Sequence, residues 1–180
     1  MRFPASRLLL SCALAGAAFS AQAFELTSAD IRDKETLKTA QVFKPCGGDN
    51  ISPQLTWKNA PAGTQSFAVT IYDPDAPTGS GWWHWLAYDL PAGTTSLDAG
   101  AGADGKLPAG AKHGRNDYGT KDFGGACPPR GDKPHRYIVT VYALKVSQLN
   151  VPADASAAMI GFNLNANKLG SATITGMYGR

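Results

Sequence analysis

Ser66-Phe67-Ala68-Val69-Thr70-Ile71-Tyr72, followed at once by Asp73-Pro74-Asp75-Ala76-Pro77, is the stretch on which the reading of this chain turns. Phe67, Val69 and Ile71 fall on one face of an extended segment, and Ala68, Thr70 and Tyr72 on the other. That period of two is the mark of a β-strand. The segment after it cannot continue a sheet: two prolines in five residues fix φ and remove two backbone donors. A strand therefore ends on a rigid turn carrying two carboxylates, and one of its X-Pro bonds is a candidate for the cis form.

Working outward, Trp83–Leu90 is aromatic-rich and strand-like. Arg136–Leu144 alternates Tyr137, Val139, Val141 and Ala143 against Ile138, Thr140, Tyr142 and Leu144, which predicts a strand buried on both sides. Gln54–Lys58 and Ala172–Met177 are weaker strands, and Phe24–Ser28 fits an edge strand. One helix is expected over Ala155–Asn167, with Asp154 as its cap, Ile160 and Leu164 four apart, and Gly170 as its stop. Gly161 weakens that pattern. Asn59–Gly63 and Pro91–Gly93 are turns. Two long Gly/Pro-rich stretches, Gly93–Gly114 and Tyr118–Pro134, are of the kind that carries function or moves. The pattern as a whole predicts antiparallel β-structure with one or two peripheral helices.

The N-terminus has the form of a secretory signal. Arg2 and Arg7 precede an apolar run from Leu8 to Phe19, and Ala21-Gln22-Ala23 has the small-x-small form of a cleavage site. The run is too short to span a bilayer comfortably, so no transmembrane segment is expected after its removal. Residues 1–23 are thus read as a leader and 24–180 as one domain, exported to the periplasm. Loss of Arg2 and Arg7 lowers the formal charge from +3 to +1, too little for a nucleic-acid-binding surface. Cys12 leaves with the leader, and Cys46 and Cys127 remain as an even pair in an oxidising compartment. A disulfide between them would span 81 residues, with a chain-entropy stabilisation of roughly 4–5 kcal/mol. Two free thiols are the alternative, but neither cysteine sits in a Cys-x-x-Cys pair.

Three features concentrate reactive groups where strands meet loops: Asp73–Pro77, Trp83-His84-Trp85, and Gly124-Gly125-Ala126-Cys127-Pro128-Pro129 followed by His135-Arg136-Tyr137. If their strands are neighbours, Asp73, Asp75, His84 and His135 share a pocket beside glycine-rich backbone. Imidazolium and backbone N–H groups are good donors to phosphate oxygens. Glycines at 124 and 125 allow close backbone approach, and a carboxylate beside a histidine favours its charged form. Taken singly, each histidine is more often a hydrogen-bonded structural residue, the tryptophans more often core and rim, and Arg136 more often half of a structural ion pair.

Taken together, these segments resemble the signature segments of the phosphatidylethanolamine-binding protein family, in the same order and spacing. Asn50-Ile51-Ser52-Pro53-Gln54-Leu55 with Trp57 resembles another segment of that family, and Gly79–Trp85 and Asn163–Asn167 are similar to its bacterial Raf kinase inhibitor-like branch. The resemblance implies a mainly β fold of two packed antiparallel sheets with a few short peripheral helices. It also implies a small pocket for phosphate-type anions or phospholipid headgroups. Carried over by position, the ligand-binding residues are Asp73, Asp75, His84, the Gly125, Ala126 and Cys127 backbone, and His135, with Tyr137 in support. Ala76-Pro77 is the implied cis bond.

The expectation is therefore a non-enzymatic binding protein, without catalytic residues, cofactor or metal, that takes a phosphorylated small molecule or headgroup and modulates an unidentified protein partner. Two alternatives compete. Two Asp and two His could ligate a metal for a phosphoesterase, although no His-x-His or His-Glu-x-x-His spacing appears. Lys121–Pro134 could act as a protease-inhibitory loop.

Overall fold

The computed structural model describes residues 22–180; the predicted leader therefore lies almost wholly outside the described residues. Eight strands and one α-helix follow in chain order. They are β1 (Glu25–Thr27), β2 (Leu55–Lys58), β3 (Ser66–Asp73), β4 (Trp82–Pro91), β5 (Ser96–Leu97), β6 (Lys112–His113), β7 (His135–Leu144), α1 (Ala157–Asn167) and β8 (Lys168–Tyr178). Single 3-10 turns occupy Thr39–Gln41 and Lys44–Cys46. Among these residues no helix is long and apolar enough to cross a membrane.

The strands form two antiparallel sheets, a small one in the order β1-β2-β5 and a large one in the order β6-β4-β3-β7-β8. β3 lies at the centre of the large sheet, where Ile71 pairs with Trp85 on β4 and with Val139 on β7. Its alternation now has a physical destination. Phe67, Val69 and Ile71 pack with Trp85, Val139 and Val141 against Leu26, Leu55, Trp57 and Leu97 of the small sheet. Ala68 faces the other way, with Leu86, Tyr88 and Leu144, and α1 covers them with Ala157, Ile160 and Leu164. The central strands carry apolar residues on both faces because one face meets a sheet and the other a helix.

The helix differs from expectation at both ends. Its cap is Ser156, whose hydroxyl accepts from the Met159 N–H, and not Asp154. Instead of a stop at Gly170, the chain turns from helix to strand at Lys168, so β8 begins four residues earlier than the alternation from Ala172 suggested. Pairing along the full length of β7 supplies the extra ladder. Gly161 does not interrupt the helix: a Cβ there would lie 3.1 Å from the Trp83 indole, and its absence lets the ring pack against the helix. The two long loops are pinned. Gly100 N–H donates to the Ser52 carbonyl, Gly102 N–H to the Ser52 hydroxyl, and Phe123 N–H to the Gly102 carbonyl.

Candidate functional site

Strand register gathers the predicted residues. Tyr72 pairs with Ile138, so alternation puts Asp73 on the same face as Tyr137, at the end of the inter-sheet core. On the β4 side the register shifts between Ile71 and Tyr72, which face Trp85 and Trp83, and His84 is the extra residue between them. A bulge of this kind re-aims a side chain. His84 thereby lines the same cavity as Asp73, His135 and Tyr137. The cavity holds about 270 Å³, and its other walls include Phe43, Pro45, Pro77, Trp82, Tyr118 and Cys127.

Three of the predicted side chains are nearly sealed from solvent: Asp73 is 2% exposed, His84 3% and His135 4%. Asp73 Oδ1 accepts the N–H groups of Asp75 and Ala76 at 2.8 and 3.1 Å, so the carboxylate closes its own turn. Its Oδ2 lies 2.8 Å from His135 Nδ1, and His135 Nε2 lies 3.4 Å from Asp132 Oδ2. Burial opposes the charged form of His135, but the hydrogen bond and charge of Asp73, helped by Asp132, outweigh it and hold its pKa above the ordinary value. His84 behaves oppositely. Its Nδ1 lies 2.8 and 3.1 Å from the carbonyl oxygens of Gly124 and Gly125, and burial pushes its pKa down despite these contacts and the charge of Asp73. Burial, and then Asp73, push the Tyr118 and Tyr137 hydroxyls upward, so both stay protonated.

Asp75 and the glycine-rich segment serve the scaffold. The Asp75 carboxylate does not line the cavity. It accepts from Arg136 N, Nε and Nη2 at 2.9, 2.9 and 2.7 Å, and chiefly these hydrogen bonds pull its pKa to about 2. Arg136 is thus one half of a structural ion pair, as expected for an arginine at that position taken singly. Gly125 N–H donates to Asn50 Oδ1 at 2.7 Å and Ala126 N–H to the Gln41 carbonyl at 3.0 Å, so neither is free for a ligand. A Cβ on Gly125 would lie 2.5 Å from Phe43 N and Val42 C, so the close approach that glycine permits is to protein backbone. Ala76-Pro77, the expected cis bond, is trans, as is every peptide bond among the described residues.

Cys46 and Cys127 form a disulfide with their Cα atoms 5.8 Å apart, tying the 3-10 turn that precedes Gly47 to the cavity wall. Among the described residues, no three His, Cys, Asp or Glu side chains are grouped to hold a metal ion. Sequence reasoning passed over Tyr118, whose hydroxyl donates to the Gly125 carbonyl at 2.9 Å and whose ring stacks on Phe43 at 4.3 Å. No periodicity marks a tyrosine in a long loop. It also left Trp82 as rim. The signal available there was a third tryptophan beside Trp83 and Trp85, directly after Gly79-Ser80-Gly81.

Several buried side-chain polar atoms among the described residues lack a hydrogen-bond partner in the protein, and three of them belong to residues lining this cavity: Trp82 Nε1, His84 Nε2 and Tyr137 Oη. Buried polar groups are normally satisfied, at a cost of about 1–3 kcal/mol when they are not. Three such residues in the lining of one apolar-walled hollow fit a ligand site, although His84 and Tyr137 also border a smaller hollow of about 10 Å³.

Comparison with known proteins bears on this geometry. The sequence model of the phosphatidylethanolamine-binding protein family matches residues 27–179. The UPF0098 protein YbcL of Escherichia coli is 54% identical over 177 residues, covering 95% of this chain and 97% of that protein. The UPF0098 protein YbhB of the same organism is 50% identical over 157 residues, covering 86% and 99%. The crystal structure of E. coli YbcL, described as a new member of the mammalian PEBP family, superposes with a TM-score of 0.85 at 53% identity, covering 87% of this chain and 98% of that one. A PEBP homolog from Chlamydia trachomatis superposes with a TM-score of 0.73 at 25% identity, covering 88% and 98%.

Proposed function

The chain belongs to the phosphatidylethanolamine-binding protein family, and from that premise we propose that its cavity binds a phosphate-type oxyanion, free or as the headgroup of a phosphorylated molecule, without turning it over. The observation that carries this reading is that Trp82, His84 and Tyr137, each with a buried polar atom left without a partner, all line this cavity. The Trp82 N–H and Tyr137 O–H are donors without acceptors. Asp73 holds His135 toward its charged form, so the carboxylate's negative charge does not stand unmatched against an incoming anion. Proline and aromatic walls are stiff, so little ordering entropy opposes binding. Asp73 orients His135, and the disulfide and the Asp75–Arg136 pair brace the loops from outside. The basic, apolar N-terminus with its small-x-small end and the paired cysteines support export to the periplasm as the setting.

The test is a titration of residues 24–180 with phosphate and phosphoethanolamine while the histidine ring resonances are followed by NMR. Saturable shifts at His84 and His135, with the phosphoester intact afterwards, support the reading. Rings that do not respond would reject the cavity as the binding site, and phosphate released from phosphoethanolamine would move the protein to the enzymes.

A further inference from the structure

His84 carries the cavity reading one step further, to the protonation state of the ligand. Its Nδ1 faces two carbonyl oxygens, of Gly124 and Gly125, at 2.8 and 3.1 Å. Neither oxygen can donate, so Nδ1 holds a proton in every charge state of the ring. In the neutral imidazole, Nε2 is then a bare lone pair, and it is a buried atom without a partner on a residue that lines the cavity. The surroundings do not compel a second proton. Burial pushes the ring toward its neutral form, against the pull of the Gly124 and Gly125 carbonyls and of two acids, Asp73 and Asp117, and the Tyr118 and Tyr137 rings pack against it in T-shaped contacts. Asp117 is itself held by the Trp83 N–H at 2.7 Å, and Asp73 is matched by His135. No Lys or Arg lines the cavity.

Resting on the oxyanion reading above, we propose that the pocket selects hydrogen phosphate, which keeps a proton of its own across neutral pH, over isosteric oxyanions that carry none, because His84 meets the ligand as a hydrogen-bond acceptor. A P–OH donates to Nε2 while the remaining oxygens accept from Tyr137 and Trp82. A fully ionised sulfate sets an oxygen lone pair against the nitrogen lone pair, and a site built around one hydrogen-bond polarity discriminates strongly against a ligand of the other. A monoester headgroup, such as that of a phosphatidic acid, offers the same P–OH once it has taken up a proton, because its second pKa is about 6.

Calorimetric titration at pH 7.5 compares inorganic phosphate, sulfate and a soluble short-chain phosphatidic acid, each in two buffers of different ionisation enthalpy. Phosphate bound at least about tenfold more tightly than sulfate, with no net proton uptake, is the expected result. A phosphatidic acid should bind with close to one proton taken up, and its ratio to phosphate assigns the source; tight binding of it without proton uptake would also overturn the inference. His84→Gln, whose amide can present either polarity, should bring the phosphate-to-sulfate ratio toward one. Trp82→Phe should weaken both ions and keep the ratio. Sulfate bound as well as phosphate, with one proton taken up per ion, would overturn the inference and leave the oxyanion pocket standing. If no oxyanion binds, the pocket reading itself fails.

Discussion

Replacing Asp73 by Asn tests the buried pair at the centre of the site. The amide keeps the size of the side chain, and its oxygen can still accept the Asp75 and Ala76 N–H groups that Oδ1 holds now. What it removes is the charge facing His135 Nδ1 at 2.8 Å, between side chains 5% and 3% exposed. A hydrogen bond to a charged group is worth about 1.5–3 kcal/mol, and burial here leaves little solvent screening to reduce it. The effect must depend on pH with a definite sign. The folded-state pKa of His135 is raised, so the stability it contributes is complete below the unfolded histidine pKa and disappears as pH rises through the folded value. Urea unfolding of Asp73→Asn should therefore show a loss of about 2–3 kcal/mol at pH 5.5, smaller by on the order of 1 kcal/mol at pH 9. The His135 ring should titrate at lower pH in the variant. An equal loss at both pH values, with an unchanged His135 titration, would refute the claim that charge binds this pair.

Gly125→Ala should destabilise the fold by about 1–3 kcal/mol in urea unfolding, because its Cβ meets the Phe43 and Val42 backbone and cannot be accommodated by a side-chain rotation. The Cys46→Ser/Cys127→Ser double variant should lose about 2–4 kcal/mol, and the parent should yield one disulfide-linked peptide in a non-reducing digest. Asp75→Asn should cost about 1 kcal/mol at neutral pH, discounted for the partial exposure of the pair. Since the carboxyl is pulled down to about 2, that cost should persist through mild acid and vanish as pH falls through this value, which acid titration of both proteins would follow.

Alternation is a local property, so the long strands were legible in the chain, whereas β5 and β6, two residues each within Gly93–Gly114, carry no such pattern. Phe67, Val69 and Ile71 had to share a face whatever packed on them, and the prolines after Asp73 had to end the ladder. The sequence by itself pointed to the pairing of Cys46 with Cys127, with two free thiols as the alternative that the structure removes, and it collected Asp73, His84, His135 and Tyr137 through a resemblance spread over several segments. Direction and partnership were decided only in three dimensions. Asp73 and Asp75 stand two residues apart on one turn, yet one closes that turn beside a histidine at the cavity and the other turns outward to Arg136. Gly125 and Ala126 have N–H groups that any chain could offer a ligand, and the packed chain around Gln41 and Asn50 consumes both. His84 owes its place to a bulge, and a one-residue register shift between strands leaves no trace in the composition of either. A side chain's type is written locally. What it touches depends on segments dozens of residues away, and only the tertiary fold brings those together.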